Sequence, residues 1–160
     1  MADRRNQEYL QTKILTATPQ KLHLMLIDGA LRFGRQARQA LESGDSAAVS
    51  EPLLRSIDIV GEMLAVVRAG DQPLNQKLGE LYLFVLRRLT FAHVNADLTA
   101  LNEALGVLEF ERETWQAVCQ QLGTEKKVDR KTAAPASEKS GAPPLPKLNT
   151  STQTGVSLEA

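Results

Sequence analysis

TATPQKLHLMLIDGALRF, residues 16–33, is the stretch on which the fold turns. Thr18 followed by Pro19 marks a helix start, a hydroxyl N-cap and then a proline at the first helical position, where its missing N–H is not needed. From there the periodicity predicts a helix to about Leu41, ended by ESGDS. Placed at about 100° per residue, Leu22, Leu26, Ala30, Phe33 and Ala37 fall on one side. Leu24, Ile27 and Leu31 fall about half a turn away, with Lys21, Asp28, Arg32 and Arg35 on a flank between them. A surface helix needs one apolar face, and this one has two.

Working outward, three further helices follow the same four-and-three spacing. The second begins within 46–52, with Ser50 as the expected N-cap because Pro52 suits only a first turn, and ends near RAGDQP. Its stripe is Leu53, Ile57, Val60, Leu64 and Val67. The third covers about 74–94, with Leu74, Leu78, Leu81, Val85, Leu89 and Ala92. Asn95 or Asp97 caps the fourth, about 98–122, with Leu101, Leu105, Leu108, Arg112, Trp115, Cys119 and Leu122, and Gly123 as its stop. Short connections between amphipathic helices make neighbours antiparallel. The expected fold is all-α, an antiparallel four-helix bundle over 18–123, with residues 1–17 as an N-terminal capping segment.

From Thr124 the composition changes to Pro, Ser, Thr, Lys and Ala with no Phe, Tyr, Trp or Ile. Such a segment buries too little apolar area to offset its ordering entropy, so 124–160 is expected to be a disordered tail. Within it APPLPKL is either a polyproline II ligand or simply solvated chain, the latter favoured by composition.

The totals narrow the function. Lys and Arg number 19 and Asp and Glu 19, so no basic excess points to nucleic acid. The one cysteine, Cys119, allows no internal disulfide and fits a reducing compartment. The polar start MADRRNQEYLQTK carries no signal-like apolar segment, and no run is long enough for stable membrane insertion, so a cytoplasmic location is expected. Aromatics at 4% and a dominance of Ala, Leu, Gln, Glu and Arg favour helix over sheet.

Motifs for chemistry are missing. A di-iron bundle needs Glu-x-x-His pairs, but Gln20 and Thr90 stand three residues before His23 and His93. There is no CxxC, Gly-rich phosphate loop or GxSxG elbow. Cys119 lies on a core stripe, where a buried inert thiol is the default. Glu109, Glu111 and Glu113 read as a solvated face. Arg112, the single charge on its stripe, either snorkels past the bundle end or pairs with a carboxylate such as Asp58 or Glu62. The expectation is a non-enzyme without cofactor or metal.

The second apolar face recurs. Leu83, Phe84, Phe91 and Val94 lie off the stripe of the third helix, and Ile59, Met63 and Val66 off that of the second. For Ile59 and Met63, burial against adjacent helices is the favoured account. For Leu24 with Leu31, and Leu83 with Phe91, a binding surface is favoured. Its cover is the chain's own Tyr9, Leu10, Ile14 and Leu15, a second copy, or a segment of another protein.

YLQTKILTATPQKLHLMLIDGALRFGRQA, residues 9–37, resembles the opening of the flagellar secretion chaperone FliS family. The resemblance is carried by Tyr9, Leu10, Ala17, Pro19, Leu22, Met25, Leu26, Gly29 and Ala30. LGELYLFVLRRL adds Leu78, Leu81 and Tyr82; AHVNAD and a late Trp115 also fit, so that it spans about 7–120. Ile27, where many members have Tyr, and Ser56, where a small Ala is usual, depart from the pattern. The resemblance implies a chaperone that binds the disordered C-terminal segment of flagellin, blocks premature polymerisation and presents the subunit to the flagellar type III export gate. It also implies that the N-terminal segment covers part of the binding surface when flagellin is absent. On that reading Leu24, Ile27, Leu31, Leu83, Phe84, Phe91 and Val94 form the flagellin groove. Tyr9, Leu10, Ile14 and Leu15 form the cap, on a monomer or weak dimer. The alternative is a homo-oligomeric helical adaptor whose second face is a self-association interface.

Overall fold

The computed structural model describes residues 2–132, with side chains from 3 to 126. Among them there are five helices and no strands: α1 Ala2–Thr16, α2 Pro19–Ser43, α3 Ser46–Arg68, α4 Pro73–Asn95 and α5 Leu98–Thr132. Four of them enclose one interior. α2 packs on α3 and α5, and α4 packs on α3 and α5.

The helix limits follow from local chemistry. Thr18 accepts from the Lys21 N–H, and Pro19 opens α2. Gly44, at φ 74°, closes α2 in the left-handed region that glycine enters without a side-chain clash. Asp45, rather than the expected Ser50, caps α3, accepting from the Ala48 N–H at 3.3 Å. Pro52 therefore lies in the second turn of α3. It removes the hydrogen bond to the Ala48 carbonyl, and Ala48 is exposed. Asp97 caps α5 through the Ala100 N–H at 2.7 Å.

α5 runs to Thr132, past the stop expected at Gly123. Gly44 is the only glycine with positive φ among the described residues, so Gly123 provides no left-handed break. Glu125, Lys126 and Lys127, good helix formers, carry the helix on. The expected disorder is thus not found over 124–132, and APPLPKL lies outside the described residues.

The interior is built from Ile27, Ala30 and Leu31 of α2, Leu53, Val60 and Met63 of α3, Tyr82, Val85 and Leu89 of α4, and Leu101, Leu105 and Leu108 of α5. Apolar burial of this kind supplies most of the favourable free energy of folding, about 1.5–3 kcal/mol for each large side chain. Helices α2 and α5 approach closely at Gly34, where an added Cβ would lie 2.4 Å from Leu105 Cδ2. Ser56, fully buried, donates to the Ala30 carbonyl at 3.0 Å and joins α3 to α2.

Two expectations for α2 are corrected. Ile27 and Leu31 are 0% and 1% exposed and belong to the interior, not to a second face. Leu26, expected inside, is exposed. The physical reason is that Ala30, Gly34 and Ala37 let α2 approach α3 and α5 closely, so its buried arc is wide. Its centre is Gly34, about 80° round the helix from the centre assumed on periodicity. On α3, Met63 is buried and Ile59 is packed against the interior, as adjacent-helix burial required.

Candidate functional site

α4 presents two unlike sides. Tyr82, Val85, Leu89 and Ala92 point inward. On the outward side Phe84 is 45% exposed, Phe91 48% and Val94 74%. These three were expected on one surface and share one. Leu83, expected with them, is half-buried and packs against the interior from the edge.

The floor between Phe91 and Val94 is a shallow pocket of about 400 Å³, lined by Leu86, Arg87, Thr90, Phe91, Val94 and Asn95. Two of its polar members, Thr90 and Asn95, are turned to the backbone. Thr90 Oγ1 donates to the Leu86 carbonyl at 2.8 Å, and Asn95 Nδ2 donates to the Phe91 carbonyl at 3.0 Å. Arg88, on the flank, is ion-paired with Glu103 of α5, and its guanidinium lies 5.8 Å from the centre of the Phe91 ring. The Arg88 guanidinium, held by the ion pair, lies over one face of Phe91, and the ring stays half-exposed. The result is a shallow apolar face with no cavity deep enough to enclose a small molecule. It suits a segment laid along it.

The other predicted site residues do not join this face. Leu24 is half-buried on α2, whose main packing is on α3 and α5, and it does not line the α4 pocket. Ile27 and Leu31 are interior. Tyr9, Leu10, Ile14 and Leu15 lie on α1, a helix whose described side chains are all exposed. In this structure they therefore do not cap α4. Only Ala17 and Thr18 separate α1 from α2.

The periodicity missed a polar cluster in the interior. Glu111, expected on a solvated face, is 6% exposed. Its Oε2 accepts from the Tyr82 hydroxyl at 3.2 Å and from Trp115 Nε1–H at 3.1 Å. His23 Nε2 lies 2.6 Å from the Tyr82 oxygen, and its ring packs 4.3 Å from that of Trp115. With the phenolic proton committed to Glu111, the cluster is satisfied when His23 donates from Nε2. Burial and the Glu111 carboxylate raise the Tyr82 phenol well above its usual range, so it stays a donor. Burial lowers the His23 imidazole below its ordinary value. The cluster joins α2, α4 and α5 and sets how α4 is seated. A Tyr, a Trp and a Glu that each need a partner when buried were the available signal.

Arg112 pairs with Asp28 of α2, not with Asp58 or Glu62. Its helix-to-helix reach is short because α2 and α5 are neighbours. Arg35 with Glu109 adds a second α2–α5 pair. Among the described residues no three His, Cys, Asp or Glu side chains come together as a metal site, and no helix is long and apolar enough to cross a membrane.

Comparison with known proteins agrees with the helical architecture. The family model described as Flagellar protein FliS matches residues 1–122. The chain is 33% identical over 112 residues to the flagellar secretion chaperone FliS of Bacillus subtilis, covering 70% of this chain and 84% of that protein. It is also 33% identical over 116 residues to the flagellar secretion chaperone FliS of Salmonella typhimurium, with the same shares of each chain. The FliS of Escherichia coli is 24% identical over 109 residues, 67% of this chain and 80% of its own. The match takes in every helix that lines the interior and the whole of the exposed α4 face, and this chain belongs to the FliS family of flagellar secretion chaperones.

Proposed function

We propose that this protein is a cytoplasmic export chaperone for flagellin. It binds the C-terminal segment of flagellin before assembly, keeps it from polymerising and delivers it to the export gate of the flagellar type III apparatus. The scaffold is an antiparallel four-helix bundle formed by α2–α5. The outward face of α4, Phe84, Phe91 and Val94 with Leu83 at its edge, takes the client, and Leu24 marks where a longer client would cross α2.

One observation carries this reading: large apolar side chains stand exposed along one face of α4, in a chain of a secretion-chaperone family. A filament-forming segment is amphipathic and self-associates when bare. Masking it calls for a long, shallow apolar face from which it can leave, and α4 offers that form. Client folding on the face wraps a large area at moderate affinity, because ordering the client costs free energy. Tyr9, Leu10, Ile14 and Leu15, swinging about Ala17 and Thr18, exchange with the client as a cap.

The test is calorimetric titration with the C-terminal ~40 residues of the same organism's flagellin, a length that allows an extended amphipathic wrap. Saturable 1:1 binding with a negative heat-capacity change, lost in Phe91→Asp and Val94→Asp variants of normal helicity, supports the reading. Absence of binding together with a concentration-dependent dimer sinks it in favour of self-association through α4.

A further inference from the structure

The α4 face is not purely apolar. Arg87 lies between Phe84, Phe91 and Val94 on the outward side, is exposed, and lines the shallow pocket. The neighbouring Arg88 is neutralised by Glu103. Arg87 has no acidic partner among the described residues. The other polar groups of the pocket, Thr90 and Asn95, are neutral, and each donates to the backbone of α4 itself.

An unpaired guanidinium in the middle of an apolar patch restricts what can cover it. A wholly apolar segment laid over Phe84 and Phe91 would strip water from Arg87 and return nothing, which is costly for a charge. A segment that brings a carboxylate to that point recovers the loss and gains a charge-assisted hydrogen bond. Glu80 lies two helical turns before Arg87 on the same side of α4 and would oppose an acid at its own position.

Resting on the proposed client reading, we infer that the α4 face selects an amphipathic helical segment carrying an Asp or Glu beside its apolar stripe, and that Arg87 is the residue that reads this acid. Phe84 and Phe91 supply apolar contact for many amphipathic helices. Arg87 supplies discrimination among them, by leaving a desolvated cation when the acid is missing.

The experiment titrates the full chain with the C-terminal ~40 residues of the same organism's flagellin, native or with its Asp and Glu changed to Asn and Gln. Wild type is compared with Arg87→Gln, Arg87→Lys and Phe91→Asp, each checked for normal helicity by circular dichroism. The native peptide should bind Arg87→Gln about tenfold or more weakly than wild type, with Arg87→Lys between them. The neutralised peptide should bind wild type and Arg87→Gln alike. Unchanged affinity in Arg87→Gln, alongside loss in Phe91→Asp, overturns the acid-reading role and leaves the client reading standing. No binding of the native peptide by wild type overturns both.

Discussion

The Tyr82 hydroxyl on α4 donates to Glu111 Oε2 on α5 at 3.2 Å, inside the molecule and away from solvent. A buried carboxylate is tolerable only when donors surround it, and Tyr82 and Trp115 are the two that Glu111 has. Tyr82→Phe keeps the ring but removes a donor to Glu111 and the acceptor of His23, and the loss at the charged acceptor alone should cost about 1.5–3 kcal/mol. With Glu111→Gln in the background the same change touches a neutral pair and should cost only about 0.5–1.5 kcal/mol. Urea unfolding of the four proteins measures the difference. Equal costs in both backgrounds would mean that Glu111 does not carry a charge that Tyr82 stabilises.

His23 makes the stability of this cluster depend on pH. Its ordinary pKa of 6.5 is lowered in the folded state because burial disfavours the imidazolium. Below pH 6.5 the unfolded chain therefore binds the proton more readily than the folded one. The stability contributed by neutral His23 is full above pH 6.5 and is lost as pH falls from there through the lowered folded value. The urea midpoint should decline over that window in wild type. In His23→Gln, which keeps a donor but does not titrate, the decline should be smaller. Parallel pH profiles for the two proteins would remove His23 from the account.

The sequence was most legible where one residue type has one local role. Thr18 and Pro19 started α2, Gly70 and Pro73 separated α3 from α4, and Asp97 capped α5, each by backbone hydrogen bonding that needs no tertiary partner. It was least legible on α2, where small residues let the neighbouring helices come close. On α2 the large side chains Leu26 and Phe33 drew the assumed core toward themselves. The closest approach is marked by the small residues Ala30, Gly34 and Ala37. A glycine inside a helix costs stability unless something needs the space, so Gly34 was the informative residue. Of the candidate face, the α4 members Phe84, Phe91 and Val94 could be read because α4 buries a narrower arc. The Glu111 cluster could not, because periodicity does not see a buried acid satisfied from two other residues.

Gly34 and Gly106 make opposite predictions for the same substitution. Both lie inside helices, where Gly→Ala ordinarily stabilises by roughly 0.5–1 kcal/mol. At Gly106 an added Cβ meets nothing within 4 Å, and Gly106→Ala should show that gain. At Gly34 the new Cβ would lie 2.4 Å from Leu105 Cδ2, and Leu105 is itself 1% exposed with no space to retreat. Overpacking of this kind costs about 1–3 kcal/mol, more than the helix gain, so Gly34→Ala should lower the melting temperature. A rise in both variants would show that α2 and α5 sit further apart than described.

Leu31 and Phe91 separate folding from binding. Both were expected on the flagellin groove, yet Leu31 is interior and Phe91 is 48% exposed. Leu31→Asp places a carboxylate among Ile27, Ala30 and their neighbours with no donor provided, and loses the apolar burial as well. The two effects together should exceed about 4 kcal/mol, enough to unfold a domain of ordinary stability. Phe91→Asp changes a residue already half in water, next to Arg88 and Arg87, and should cost less than about 1 kcal/mol. Circular dichroism should therefore show a cooperative helical melt for Phe91→Asp and none, or a sharply lowered one, for Leu31→Asp. Only the first variant can report on the client. Loss of flagellin binding in Leu31→Asp carries no information about a surface, because it follows from loss of the fold. A well-folded Leu31→Asp would instead return Leu31 to the outside of α2 and reopen that helix as part of the binding face.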